Sequence, residues 1–174
     1  SFAGGFEQSS GGAWSRAFSL AFETPRLQVD GGRAVTEGQT LSAGFGVRHT
    51  QPDGPAFGAS LTGGWSWGDT SRVVSMYDTA VGVSEYQTGF LRLDSHLARQ
   101  FGGQNGGSFI RPAVNLAATA LRHDGLTEVG LDGLGVSVDA NTQLLASITP
   151  EVTIGQVWQT GEAQTATLSV SMGA

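Results

Sequence analysis

The chain has no cysteine and no lysine, and only 14% of its 174 residues are charged. Each shortage excludes something. Without cysteine there is no thiolate nucleophile, no disulfide and no Cys-ligated metal. A soluble all-β domain draws on a surface that is roughly 25–35% charged, which this composition does not supply. No apolar run approaches the ~18 residues of a transmembrane helix. That absence leaves membrane strands open, because alternating strands average to a neutral hydropathy. Nine arginines stand against fifteen acidic residues, for a net charge of −6. This balance argues against a nucleic-acid partner, which calls for a basic stripe. The chain opens at Ser1 with neither Met nor a signal segment, so no targeting information is read from it.

What is present is alternation. In Trp14–Phe22, Leu41–Val47 and Phe57–Trp67 a large apolar residue alternates with Ser, Gly, Thr or Ala. Phe57, Ala59, Leu61, Gly63, Trp65 and Trp67 share one strand face, opposite Gly58, Ser60, Thr62, Gly64, Ser66 and Gly68. Ile110–Ala120, Leu134–Val138 and Ala166–Met172 repeat the pattern. The 27 glycines fall largely inside these runs, where they permit curvature and close backbone approach. Turn clusters at Ser9–Gly12, Asp30–Gly32, Gln51–Pro55, Gly102–Gly107, Asp124–Gly125 and Gly161–Glu162 divide the chain. The strands predicted between them are 13–23, 39–49, 56–67, 80–101, 108–122, 130–140, 143–157 and 164–172. Residues 80–101 read as one long strand or two, and Leu91–Phe101 alone has an arguable helical spacing. The count is about 8–10 strands, several near the roughly 9–11 residues of a tilted bilayer-spanning strand. No repeat of about 20–50 residues points to a solenoid or propeller.

The stretch Phe90–Leu121, followed by Leu126–Gly130 and Leu134–Ala140, resembles the C-terminal translocator domain of bacterial autotransporters. Arg111, Pro112, Val114 and Leu116 match an R/P-x-V-x-L strand, and Glu128 and Gly130 match an E-x-G element. The resemblance implies an all-β, antiparallel up-and-down transmembrane β-barrel, twelve-stranded in the full domain, with a helix in its lumen. It implies a non-enzymatic protein of the bacterial outer membrane that anchors and secretes an N-terminal passenger by type V secretion. Its implied partners are outer-membrane lipid, the passenger and the insertion machinery. The family's domain is longer and ends in an aromatic residue, whereas this chain ends Val170-Ser171-Met172-Gly173-Ala174. Residues 1–174 are therefore expected to form one barrel domain lacking its last strands.

No catalytic, cofactor or metal site is expected. There is no G-x-S-x-G elbow, and the three histidines are dispersed, whereas a catalytic triad or zinc centre needs convergence. The GGQNGG run lacks a Gly-Lys-Ser/Thr ending and reads as a hairpin turn. Arg92, Asp94, His96, Arg111, Asn115 and Glu128 fall opposite the apolar faces and are the lumen-facing candidates, where charges pair and set selectivity. Trp14, Trp65, Trp67, Tyr77, Tyr86 and Trp158 lie near strand ends, as interfacial aromatics do. Two other functions fit the same alternation. One is a small pore or structural barrel without a passenger; the other is a soluble β-sandwich or lipocalin-like binding module.

Overall fold

A computed structural model describes residues 1–9, 12–29, 31, 33–51, 54–75, 79–103, 106–131, 133–161 and 164–173. The strands are β1 (Phe2–Ser9), β2 (Trp14–Glu23), β3 (Arg26–Val29), β4 (Ala34–His49), β5 (Pro55–Ser75) and β6 (Thr79–Arg99). They continue as β7 (Phe101–Gly102), β8 (Gly107–His123), β9 (Leu126–Thr127), β10 (Ser137–Val138), β11 (Asn141–Gly161) and β12 (Gln164–Gly173). Among the described residues there is no α-helix, and no helix is long and apolar enough to cross a membrane.

Eight long staves pair antiparallel in the order β1-β2-β4-β5-β6-β8-β11-β12. The short strands are extensions of these staves. Arg26 faces Glu37 in the register that sets Glu23 opposite Thr40, so β3 continues β2 beyond Thr24 and Pro25. Pro25 has no N–H to give the ladder, and its carbonyl accepts from Gly38 N instead (3.1 Å). Likewise β7 continues β6, and β9 and β10 continue β8 and β11 in unchanged register. The result is a meander whose outer staves, β1 and β12, do not pair with each other among the described residues.

Three expectations change. Phe2–Ser9 is a strand that the sequence reading did not include, with Phe6 against Phe18 at 5.9 Å. Residues 80–101 form a single stave, including the stretch with helical spacing, because every residue from Thr88 to Ala98 has a partner on β8. Of the described residues in 130–140 only Ser137–Val138 form a strand. Gly130 and Gly133 take φ of +92° and +89°, a region only glycine enters freely, and the chain doubles back there.

The stave faces separate cleanly. Leu61 pairs with Phe45 and Leu93, and Phe57 with His49 and Leu97. Among the described residues no second layer covers this apolar face, and large side chains along it stay exposed, Leu61 at 47%. The opposite face carries Gly44, Gly46, Gly58, Ser60 and Thr62, with Ala117 and Ser147 farther round. Bulky rings there seat over glycines: a Cβ at Gly64 would lie 2.5 Å from Phe90, and one at Gly155 2.5 Å from Phe109. With little volume on that side, the sheet curls around it.

The two ends of the wall differ. One end has the connections 10–13, 50–54, 103–106 and 162–163. At the other, β5 and β6 run 21 residues each and the β8–β11 hairpin continues through β9 and β10. At about 3.3 Å per residue β5 is ~70 Å long, about twice what spans a bilayer. We call these the short-turn end and the tall end.

Candidate functional site

The curl of the small-residue face encloses a groove of about 830 Å³ towards the short-turn end. Register explains which side chains reach it. Arg92, Asp94 and His96 occur at every second residue of β6, so all three share the face opposite Leu91, Leu93 and Leu97. Arg111 and Asn115 take the matching positions on β8, and the groove is lined by all five.

Within it the polar groups are paired. Arg92 donates from Nε and Nη2 to the two oxygens of Asp94, both at 2.7 Å. His96 stands directly opposite Asn115, and its Nδ1 donates to Asn115 Oδ1 (2.7 Å). Two residues that sequence reasoning missed join them: Arg48 on β4 reaches over β2 to Glu7 on β1 (3.2 Å). Ser15, the partner of Arg48 on β2, is buried. Arg111 has no ion pair among the described residues and leaves a guanidinium free in the groove. The histidine is oriented by an amide rather than by a carboxylate, so it lacks the acid partner of a catalytic triad. Among the described residues no three His, Asp or Glu side chains converge as a metal site.

Glu128 lies elsewhere. It belongs to the tall end, in the turn after β9, and accepts from Arg72 Nε (3.0 Å) and Nη2 (2.6 Å). The backbone N–H of Val136 adds a third bond at 2.9 Å. These donors, Arg72 first, hold the Glu128 carboxyl at about 2, well below its usual range. Arg72 was missed because the apolar alternation stops at Trp67 while β5 runs on to Ser75. Counting on by twos from Thr62 would have placed it on the same face.

The aromatics divide. Trp14, Phe57, Phe101 and Trp158 lie on the apolar face, each a few residues from a short-turn connection. Trp14 packs on His49 at 4.7 Å and Arg99 sits over Phe101 at 5.2 Å. Trp65 and Trp67 lie on the same face towards the tall end. Tyr86 does not join them: it faces the small-residue side, with its hydroxyl where a side chain of Gly38 would sit. Tyr77 lies outside the described residues.

The fold has a solved counterpart. The translocator domain of the autotransporter NalP from Neisseria meningitidis superposes with a TM-score of 0.69 at 16% identity, covering 98% of this chain. The chain spans 57% of that domain's length. A TodX deltaS2S3 mutant monoaromatic hydrocarbon channel covers 99% of this chain and 67% of its own at 10% identity, but its TM-score of 0.25 carries no argument. No match was found among curated proteins. The family model for the autotransporter beta-domain matches residues 1–174, and the chain belongs to that family.

Proposed function

We propose that residues 1–174 form the wall of an outer-membrane barrel through which an N-terminal passenger is secreted and by which it stays anchored. One observation carries this reading within the family: the apolar face is uncovered and has a membrane's dimensions. Ten residues separate Phe57 from Trp67 along β5. At about 3.3 Å per residue and a tilt of about 40° they rise ~25 Å, the height of the lipid-facing band of such barrels. Directly beyond Trp67 that face turns to Asp69, flanked by Glu37 and Glu85. In lipid every backbone group must find a partner, and the meander provides this along each interior stave. Short turns mark the periplasmic end of outer-membrane barrels and longer loops the outer end, so the tall end faces outward.

The small-residue face then lines the lumen, with Arg92, Asp94, His96, Arg111 and Asn115 in its wall and Glu128 at its outer mouth. The role is non-enzymatic: Gly, Ser, Ala and Thr leave bore for a polypeptide, and the Arg92–Asp94 pair adds no net charge to the groove. The partners are membrane lipid, the passenger and the machinery that inserts the barrel. The domain with an epitope-tagged segment upstream of Ser1, expressed in a Gram-negative host, should expose the tag to added protease on intact cells. A tag that stays protected, or a domain that is a stable monomer in plain buffer, would overturn the reading.

A further inference from the structure

At the tall end the chain after β8 does more than connect two staves. Val129 exchanges both backbone hydrogen bonds with Val83 on β6 (2.9 and 3.0 Å), which fixes β9 beside the projecting part of the wall. Beyond Val129 the chain bends onto the small-residue face. Leu131 is 4% exposed, one of few buried apolar side chains among the described residues. It is seated over Gly82, where an added Cβ would meet its Cδ1 at 2.5 Å. Gly82 belongs to the face that carries Arg72, its partner on β5. Glu128 reaches across this glycine to grip Arg72 bidentately while its own carboxylate also holds Val136 N. Its side chain is only 8% exposed. The tip is therefore folded inward, across β6 and onto β5.

We propose that the described residues of 126–138 form a lid over the outer mouth of the lumen, with Arg72–Glu128 as its latch and Leu131 in the Gly82 notch as its seat. The inference rests on the proposed function, since a lid matters only where something passes. The ladder between β8 and β11 lapses at Asp124–Gly125 and Asp139–Ala140, between the two registered stretches. The lid can swing there without unzipping the wall. Opening breaks the latch, the seat and the Val83–Val129 pair, and leaves the long staves intact.

Because the chain has no cysteine, single thiols report cleanly. In the folded domain in detergent, the Leu131→Cys thiol should react slowly with a water-soluble maleimide. It should react about tenfold faster when Arg72→Gln or Glu128→Gln cuts the latch, since hydrogen bonds to charged groups are the strong ones. Equal rates with and without the latch would overturn the proposal. A second arm tests gating. Val83 and Val129 form a hydrogen-bonded antiparallel pair, about 5.5 Å between Cα atoms, within the range a disulfide spans. In the Val83→Cys/Val129→Cys domain, oxidation should block export of the tagged passenger and reduction restore it. Export that proceeds equally in both states would overturn the lid. Failure of export in the unmodified domain would instead overturn the proposed function.

Discussion

Placing one arginine at three positions on β5 separates lipid contact from ordinary burial. Leu61 lies near the middle of the apolar band, 47% exposed with no protein layer over it among the described residues. Thr62 is its neighbour on the small-residue face, and Val73 shares Leu61's face but lies beyond Asp69 in the projecting hairpin. Arg on the lipid face costs ~2–4 kcal/mol at the midplane of a β-barrel and about 0–1 near the interfaces. Leu61→Arg is therefore expected to shift the folding equilibrium roughly 30- to 1000-fold. Val73→Arg should shift it by less than about fivefold, and Thr62→Arg, on the groove side, by a similarly small amount. The assay is urea-dependent folding into phosphatidylcholine vesicles, followed by tryptophan fluorescence and by heat-modifiable migration on a gel. Equal penalties at Leu61 and Val73 would refute the reasoning, because a depth-independent cost means protein rather than lipid covers that face. A larger penalty at Thr62 than at Leu61 would mean that the faces have been assigned inside out.

The lid contacts should depend on pH in a defined direction. Glu128 has its carboxyl lowered to about 2 from 4.5, so its stabilising contribution is complete above about 4.5 and is lost as pH falls through about 2. The Glu128 side-chain carbonyl carbon should titrate by NMR with a midpoint near 2, and a midpoint near 4.5 would show the latch open. Gly82→Leu should unseat Leu131 and raise proteolysis within residues 128–136 several-fold, leaving heat-modifiable migration unchanged; no added cleavage would mean that the notch is not a seat. Arg111→Glu replaces the groove guanidinium that lacks an ion pair among the described residues, and should move the reversal potential of reconstituted channels under a salt gradient towards cation selectivity. An unmoved potential would place Arg111 outside the conduction path.

The wall was largely legible in the sequence, and its misreadings have a common physical cause. Apolar alternation reports what covers a strand, whereas a strand persists for as long as its backbone is paired. On β5 the greasy face ends at Trp67 and gives way to Asp69 and Ser71, yet pairing with β6 continues to Ser75. The same happens where β4 begins at Ala34 rather than near Gln39. Strand ends inferred from hydrophobicity thus marked the edge of the apolar band instead of the end of the ladder. Residues 130–140 failed in the opposite sense: Leu134, Val136 and Val138 alternate, but the left-handed glycines at 130 and 133 turn the chain first. The groove residues on β6 and β8 were found because parity alone assigns a face within a strand. Glu128 could not be placed by parity, since its position depends on a partner 56 residues earlier.

The low charge noted first in the composition is not spread evenly, and its distribution follows from the two faces. A wall residue inside the band points either to lipid, where a charge is costly, or to a narrow groove, where it must be paired or leave a field across the bore. Charge is tolerated mainly at the ends. Segments 23–37, 69–85 and 122–139, which hold the tall-end connections, contain ten of the fifteen acidic residues and four of the nine arginines. The whole formal charge of −6 thus resides in those segments, and the rest of the chain is neutral. The tall end is therefore an acidic rim that draws cations and repels anionic chains. Against that background Arg72 is more than a local partner. It places positive charge on the small-residue face of the rim, where Glu128 can grip it. Glu128 is the acidic residue through which the lid meets the wall, and Arg72 is the basic residue on β5 that it grips. One arginine thus holds the lid within a region of net negative charge, so neutralising Arg72 loosens it as neutralising Glu128 does, whereas removing a rim carboxylate outside the latch does not.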